Sequence, residues 1–91
     1  MVRLVAIYPV RDFDDFMREM SKNADARAAR GITLHSIHRS VDDPNEVMVT
    51  VEFASREAAE VVLQAEDALR AWMDRAGVDF YPAVFVGERV D

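Results

Sequence analysis

The stretch Ile32–Phe53, ITLHSIHRSVDDPNEVMVTVEF, decides the fold. Its two ends, Ile32–Ser40 and Glu46–Phe53, are rich in β-branched and aromatic residues, and the turn-forming run Asp42–Asn45 separates them. Proline and asparagine favour a tight turn between two strands. The stretch therefore predicts an antiparallel β-hairpin.

An amphipathic helix is predicted before the hairpin. Asp12 is a typical N-cap residue, because its carboxylate can accept hydrogen bonds from the free N–H groups of the first turn. Apolar residues at helical spacing follow it and lead to Gly31, a natural left-handed stop. This stripe consists of Phe13, Phe16, Met17, Met20, Ala24 and Ala28.

A second amphipathic stretch is predicted after the hairpin, with Ser55 as its N-cap and Gly77 as its stop. Glu66 and Asp67 interrupt the pattern, which leaves open whether one helix or two shorter helices form. The apolar stripe consists of Ala58, Val62, Ala65, Leu69, Trp72, Met73 and Ala76.

Two further strands complete the pattern. Val2–Val10 opens the chain and Phe80–Val90 closes it, and β-forming residues dominate both runs. The order β-α-β-β-α-β is that of the split βαβ arrangement. We therefore predict one α+β, ferredoxin-like domain over residues 1–91, with a four-stranded antiparallel sheet and helices on one face.

Both faces of the predicted sheet are apolar. In Glu46–Phe53, valines and a phenylalanine occupy one face, while Met48 and Thr50 occupy the other. Strands that are covered on both sides show this pattern. We therefore expect a homodimer, with larger assemblies left open, in which sheets pack through the face carrying His35, Ile37, Met48 and Thr50.

The composition argues against several classes of partner. The formal net charge of −6 and the lack of a basic stripe argue against nucleic acid. No apolar segment approaches the roughly 18 residues that a membrane span needs, and the first residues do not resemble a signal peptide. A chain without cysteine fits a reducing compartment. We expect a cytoplasmic protein that binds neither nucleic acid nor membrane.

The two histidines are the residues best suited to acid–base chemistry. If the turn comprises Asp42–Asn45, His38 lies opposite Val49 and His35 lies opposite Glu52. The two imidazoles then point to opposite faces of the sheet, so they cannot hold one metal ion together. We therefore predict no metal site.

His38 is the first candidate for a general base, since this register places it on the face beneath the helices. Its roof would be Met17, Met20, Trp72 and Met73. The alternative is a partly buried histidine satisfied by a single hydrogen bond. Tyr8 and Tyr81 are the other candidate proton acceptors.

Aromatic and sulfur-containing side chains form a large share of the apolar residues. Ordinary core packing explains them, and the alternative is that they enclose a flat aromatic ligand between helices and sheet. The candidate ligand-binding residues are Phe13, Phe16, Met17, Met20, Val49, Trp72, Met73 and Phe85. Arg11, Arg27, Arg30 and Arg39 could hold a carboxylate or phenolate, although such residues usually lie at the surface.

Several short runs along the chain are typical of one family. They are Arg27–Ile32, His38–Arg39, Asp42–Val47, Glu52–Phe53, Glu57–Ala59, Met73 and Ala76–Val78. Through them the chain resembles, over nearly its whole length, the antibiotic biosynthesis monooxygenase-like, or dimeric α/β barrel, superfamily. The resemblance implies the fold and the dimer, and a fold alone does not select an activity.

That superfamily includes cofactor-independent oxygenases, polyketide cyclases, lactone isomerases and haem-degrading enzymes. The asparagine and histidine that are typical of the haem-degrading branch are absent from Val2–Val10 and Ser55–Ala76. The resemblance therefore implies a protein outside that branch.

Two hypotheses follow for the function. The first is a cofactor-free small-molecule enzyme of monooxygenase or cyclase type, which removes a proton from a phenolic or polyketide-like substrate through His38. The second is a non-catalytic dimeric binding or structural module of the same fold.

Overall fold

The computed structural model describes all 91 residues. The elements are β1 (Val2–Pro9), α1 (Phe13–Lys22), α2 (Ala24–Ala29), β2 (Thr33–Arg39), β3 (Glu46–Phe53), α3 (Arg56–Gln64), α4 (Glu66–Ala76) and β4 (Ala83–Glu88). The strands form one antiparallel sheet in the order β2-β3-β1-β4. This is the predicted α+β, ferredoxin-like architecture.

The core lies between one face of the sheet and the helices. We call this the helix-side face; in β3 it carries Val47, Val49, Val51 and Phe53, all of which are buried. The opposite face, which carries Met48, Thr50 and Glu52 in β3, has no helix over it, and we call it the open face. Alternation along β3 therefore assigns each residue to one of two environments.

Helix ends form where the sequence predicts them. The Asp12 carboxylate accepts from the backbone N–H of Asp15 at 2.9 Å, and the Ser55 hydroxyl accepts from that of Ala58 at 3.1 Å. Gly77 ends α4 with φ of 76°. These caps satisfy backbone groups that the helices themselves leave free.

The predicted first helix is divided in two at Asn23. The side-chain amide of Asn23 donates to the backbone carbonyl of Glu19 at 2.7 Å. In a continuous helix that carbonyl would accept the backbone N–H of residue 23, which here reaches Met20 instead. The asparagine thus competes with the helix backbone, as short polar side chains do.

The second helical stretch is also divided, into α3 and α4. Ala65, with ψ of 61°, leaves the helical conformation between them. Of the two arrangements that the sequence left open, the structure has the one with two helices.

The loop of the hairpin is one residue longer than predicted. The backbone N–H of Ser40 donates to the carbonyl of Glu46 at 2.9 Å, so the loop begins at residue 41. The Ser40 hydroxyl supports this loop by accepting from the backbone N–H groups of Asp42 and Asp43, both at 3.2 Å. Each cross-strand pair of β2 and β3 next to the loop is therefore shifted by one residue relative to the predicted register.

This shift exchanges the faces of β2. Ile37 lies opposite Val49 and His38 lies opposite Met48. A shift of one residue moves each side chain to the other side of a sheet. The predicted positions of both residues are therefore wrong: Ile37 packs against the core, and His38 is exposed on the open face.

A β-bulge in β2 affects His35 as well. The register changes between Leu34 and Ser36, and His35 Nδ1 lies 3.8 Å from Glu52 Oε1, which also accepts from Arg3 at 2.5 Å. The expected contact between His35 and Glu52 is present. The predicted divergence of the two imidazoles is wrong, because both histidines lie on the side of Met48 and Glu52.

Candidate functional site: a cavity between helices and sheet

A cavity of about 430 Å³ lies between the helix-side face and the helices. Its floor is formed by residues of β1 and β3, such as Ala6 and Val49, and its opposite wall by residues of α3 and α4, such as Leu63 and Leu69. The volume falls within the roughly 300–1,000 Å³ of small-molecule pockets. The lining is mostly apolar, so it suits a flat hydrophobic ligand.

Two aromatic residues of the cavity wall, Tyr8 and Trp72, pack against each other and against Phe16. The Tyr8 ring lies 5.5 Å from the rings of both Phe16 and Trp72, and the Phe16 and Trp72 rings are 6.0 Å apart. Phe16 is fully buried behind the other two. Such tilted and edge-to-face pairs are favourable, so packing against Phe16 and against each other supports the positions of Tyr8 and Trp72 on the wall.

Tyr8 and Trp72 also bring polar groups into this apolar space. The Tyr8 hydroxyl and the Trp72 indole N–H form no hydrogen bond to another protein group. Neither atom is completely buried. Burial raises the pKa of Tyr8 to about 12. The hydroxyl is therefore protonated at neutral pH, and both groups are available as donors to a ligand oxygen.

Tyr81 stands at the entrance to the cavity. It is 73% exposed, and its hydroxyl accepts a hydrogen bond from Arg70 of α4 at 3.1 Å. Pro82 and Val84 continue the wall from Tyr81 into β4. A molecule bound in the cavity would therefore meet Tyr81 only at the entrance.

Another part of the cavity wall is cationic. Arg27 and Arg30, from the end of α2, line it together with Asn23 and Glu66. Arg27 is half-buried and donates through Nη1 to the carbonyl of Met20 at 2.7 Å. Desolvation by burial lowers the pKa of Arg27 from its ordinary value. The cavity thus combines an apolar body with charged groups along one part of its wall.

His38 does not belong to this cavity. It points away from the helices, on the other side of the sheet, and no histidine lines the cavity. The expected roof of methionines and Trp72 therefore does not cover it. The sequence interpretation failed here because it began the hairpin loop at residue 42, one residue too late.

The predicted ligand-binding residues divide into two groups. The residues that line the cavity are Met20, Val49, Trp72 and Met73, together with Tyr8 and Tyr81. Phe13, Phe16, Met17 and Phe85 do not line it. Phe13 lies under the Arg39 guanidinium at 4.5 Å, Met17 packs against the core, and Phe85 is 69% exposed on the open face.

Two lining residues, Asn23 and Glu66, were not among the ligand-binding residues predicted from the sequence. Asn23 and Glu66 reach the wall because each lies beside a helix break. The polar residues Asn23 and Glu66 interrupt an apolar stripe, and that interruption is the signal that could have identified them. Their contact with the cavity depends on the direction that the chain takes after each break.

No helix of the structure is long and apolar enough to cross a membrane.

Comparison with known proteins gives matches in structure but none in sequence. Neither a family model nor a curated protein sequence matches the chain. A Bordetella bronchiseptica protein, assigned to the antibiotic biosynthesis monooxygenases, is 19% identical with a TM-score of 0.77, over 98% of this chain and 96% of that one.

Two Streptomyces structures also match. SnoaB of Streptomyces nogalater, a cofactor-independent oxygenase, is 18% identical with a TM-score of 0.75, over 99% of this chain and 93% of that one. The ActVA-Orf6 monooxygenase of Streptomyces coelicolor, in complex with nanaomycin D, is 14% identical with a TM-score of 0.69, over 99% and 88%. Across nearly its whole length, this chain therefore has the fold of the antibiotic biosynthesis monooxygenase-like proteins.

Proposed function

We propose that the chain is a monooxygenase-like protein whose cavity binds phenolic, polyketide-like aromatic molecules. The observation that carries this proposal is that Tyr8 and Trp72, whose polar groups form no hydrogen bond within the chain, line an apolar cavity of about 430 Å³. Apolar walls favour fused rings, and two fixed donors select a ring that carries oxygen. The fold shared with SnoaB and ActVA-Orf6 supports the same reading.

The proposed reaction needs only the substrate and dioxygen. A phenol, once deprotonated, can transfer electrons to O₂; one oxygen atom enters the ring as a carbonyl and the other leaves as water. For the parent phenol the balance is C₆H₆O + O₂ → C₆H₄O₂ + H₂O, a four-electron oxidation of the ring. The protein must favour the phenolate and keep the ring away from bulk water.

Tyr8 and Trp72 are the groups that would favour the phenolate. Donation from the hydroxyl and the indole N–H stabilises the anion, so the phenolic proton leaves more readily to water at the cavity entrance. With a pKa of about 12, Tyr8 serves as a donor and not as a base. His38, the base expected from the sequence, is replaced in this proposal by these two donors.

Oxygen consumption tests the proposal. We expect purified protein to accelerate conversion of a hydroxylated anthrone to its quinone, followed by absorbance and an oxygen electrode. Trp72→Phe keeps the ring and removes the donor, so the rate should fall on the order of tenfold or more. Val61→Ala on the exposed side of α3 and His38→Ala on the open face are matched controls and should stay within about twofold.

A binding module without catalysis is the second candidate, since no histidine lines the cavity. It predicts that the phenol quenches the fluorescence of Trp72, the one tryptophan of the chain, without any oxygen uptake. Absence of both quenching and oxygen uptake would contradict the cavity-binding proposal itself.

We also propose that two copies associate through their open faces. An apolar patch of Val5, Ile7, Met48, Ala83 and Phe85 occupies the centre of this face, beside the buried Thr50. Ile7 and Phe85 are 38% and 69% exposed in the single chain. A second copy would cover this patch and allow the charged Arg3–Glu52 pair to remain at its edge.

A further inference from the structure

Some arginines of the chain form a salt bridge with an acidic side chain, and others do not. Most of them lie within 4.0 Å of a carboxylate, in pairs such as Arg3–Glu52, Arg11–Asp79 and Arg75–Glu19. The exceptions are Arg27, Arg30, Arg39 and Arg70. These four arginines have no acidic partner although the chain has a net charge of −6.

Two of the exceptions have an aromatic side chain as partner. The Arg39 guanidinium lies 4.5 Å from the centre of the Phe13 ring, a cation–π contact. Arg70 donates to the Tyr81 hydroxyl. The two that remain, Arg27 and Arg30, both line the cavity.

Arg27 is the more firmly positioned of the two. Its bond to the Met20 carbonyl uses one donor of a guanidinium that has five. The remaining donors have no carboxylate partner, and the partial burial of the side chain removes part of their hydration. A half-buried cation of this kind is stabilised by an anion that enters the cavity.

The nearby acids do not fill this role. The Glu19 carboxylate is taken by Asn23 at 2.6 Å and by Arg75 at 3.5 Å. Glu66 lines the cavity but lies beyond 4.0 Å from any arginine. The chain therefore supplies no carboxylate within 4.0 Å of Arg27 or Arg30.

We infer that the ligand of this cavity is an aromatic carboxylic acid, whose rings occupy the apolar body and whose carboxylate binds Arg27 and Arg30. The inference rests on the proposed function, since it takes the ring-binding cavity as given. A carboxylate has two coplanar oxygens that match the parallel N–H groups of a guanidinium. The overall negative charge of the protein would repel an anion, so these two side chains supply the attraction locally.

Calorimetry with a matched pair of probes tests the inference. Hydroxynaphthoate and hydroxynaphthamide share a bicyclic phenol and differ in the charge of one substituent. We expect the acid to bind the unmodified protein about 10- to 100-fold more tightly than the amide, because hydrogen bonds to charged groups are the stronger kind. Raising the salt concentration should reduce the difference.

Three variants locate the effect. Arg30→Met removes an exposed side chain without loss of packing, and Arg27→Lys keeps the charge but loses the planar donors; each should weaken acid binding severalfold or more and leave amide binding within about twofold. Arg89→Met, at the C-terminus, removes an equal charge far from the cavity and should change neither.

The outcomes separate the two proposals. Equal affinity for acid and amide, or an equal loss of both in Arg30→Met, overturns the carboxylate inference while the ring-binding cavity stands. Tighter binding of a hydroxynaphthyl phosphate than of the carboxylate would also overturn it, in favour of a phosphate ester. Failure of all probes to bind overturns the cavity function as well.

Discussion

Tyr8 shows how one residue serves both the fold and the site. Its ring belongs to the helix-side face of β1 and packs against Phe16 and Trp72. Tyr8 also lines the cavity, and its hydroxyl forms no hydrogen bond to another protein group. Removing the hydroxyl should therefore weaken the proposed ligand binding more than it lowers the stability of the fold.

We expect Tyr8→Phe to weaken phenol binding by about two- to tenfold, the effect of one neutral hydrogen bond. Its stability at neutral pH should be almost unchanged. The folded protein holds the pKa of Tyr8 at about 12, above the ordinary value of 10.0. Above pH 10 the Tyr8 hydroxyl therefore loses its proton more readily in the unfolded chain than in the folded chain. Between pH 10 and 12 the free energy of unfolding of the wild type should fall by about 2–3 kcal/mol relative to that of Tyr8→Phe.

Denaturant titrations of both proteins at pH 7 and pH 12 measure this difference. Tyr81→Phe is the matched control, because its hydroxyl is exposed at the entrance. A parallel loss of stability in wild type and Tyr8→Phe at high pH would show that Tyr8 ionises as easily in the folded as in the unfolded chain.

At the scale of an element, Gly77 fixes where α4 ends and how the chain returns to the sheet. Its φ of 76° lies in the left-handed region, and its N–H bonds to the carbonyl of Asp74. The next residue, Val78, is buried and bridges to Val10. The stop therefore holds α4, and with it Trp72, over the cavity.

Gly77→Ala should destabilise the protein by about 1 kcal/mol, because an L side chain is strained in this conformation. For a domain of this size that corresponds to a fall in Tm of about 4–8 °C. Gly77→Asn should lose less, since asparagine tolerates the left-handed region better than alanine. Thermal unfolding followed by circular dichroism compares the three proteins, and an unchanged Tm for Gly77→Ala would contradict the role of the stop.

At the scale of the whole molecule, the two layers leave one side of the sheet without cover. The open face is apolar at its centre although the chain carries a net charge of −6. An apolar sheet face is typical of a sheet that has a second layer over it. Phe85 on this face and Val61 on α3 are equally exposed, at 69% each. The pair offers a matched test of the proposed dimer.

Phe85→Asp should convert the dimer to a monomer at micromolar concentration, because it places a charge in the centre of the covered patch. Val61→Asp should remain dimeric. Sedimentation velocity over a range of concentrations measures both. A monomeric wild type, or a Phe85→Asp protein that still dimerises, would contradict association through the open face.

The amino-acid sequence by itself determined the elements and their order. Caps such as Asp12 and Ser55, stops such as Gly77, and the alternation of β3 are local signals, since each depends on neighbours along the chain. These local signals agree with one another, and their order leaves few topologies to consider. The fold was therefore predictable.

Only the tertiary structure decided which residues meet at the site. The Ser40 hydroxyl lengthens a loop by one residue, and the period of two in a strand converts that small error into the wrong face for His38 and Ile37. Asn23 and Glu66 lie beside helix breaks and line the cavity. The apolar pattern was also compatible with unbroken helices. The loop length depends on the hydrogen bonds of one hydroxyl, and the set of residues that meet at the cavity depends on how distant segments pack. An alternation of apolar and polar residues indicates neither.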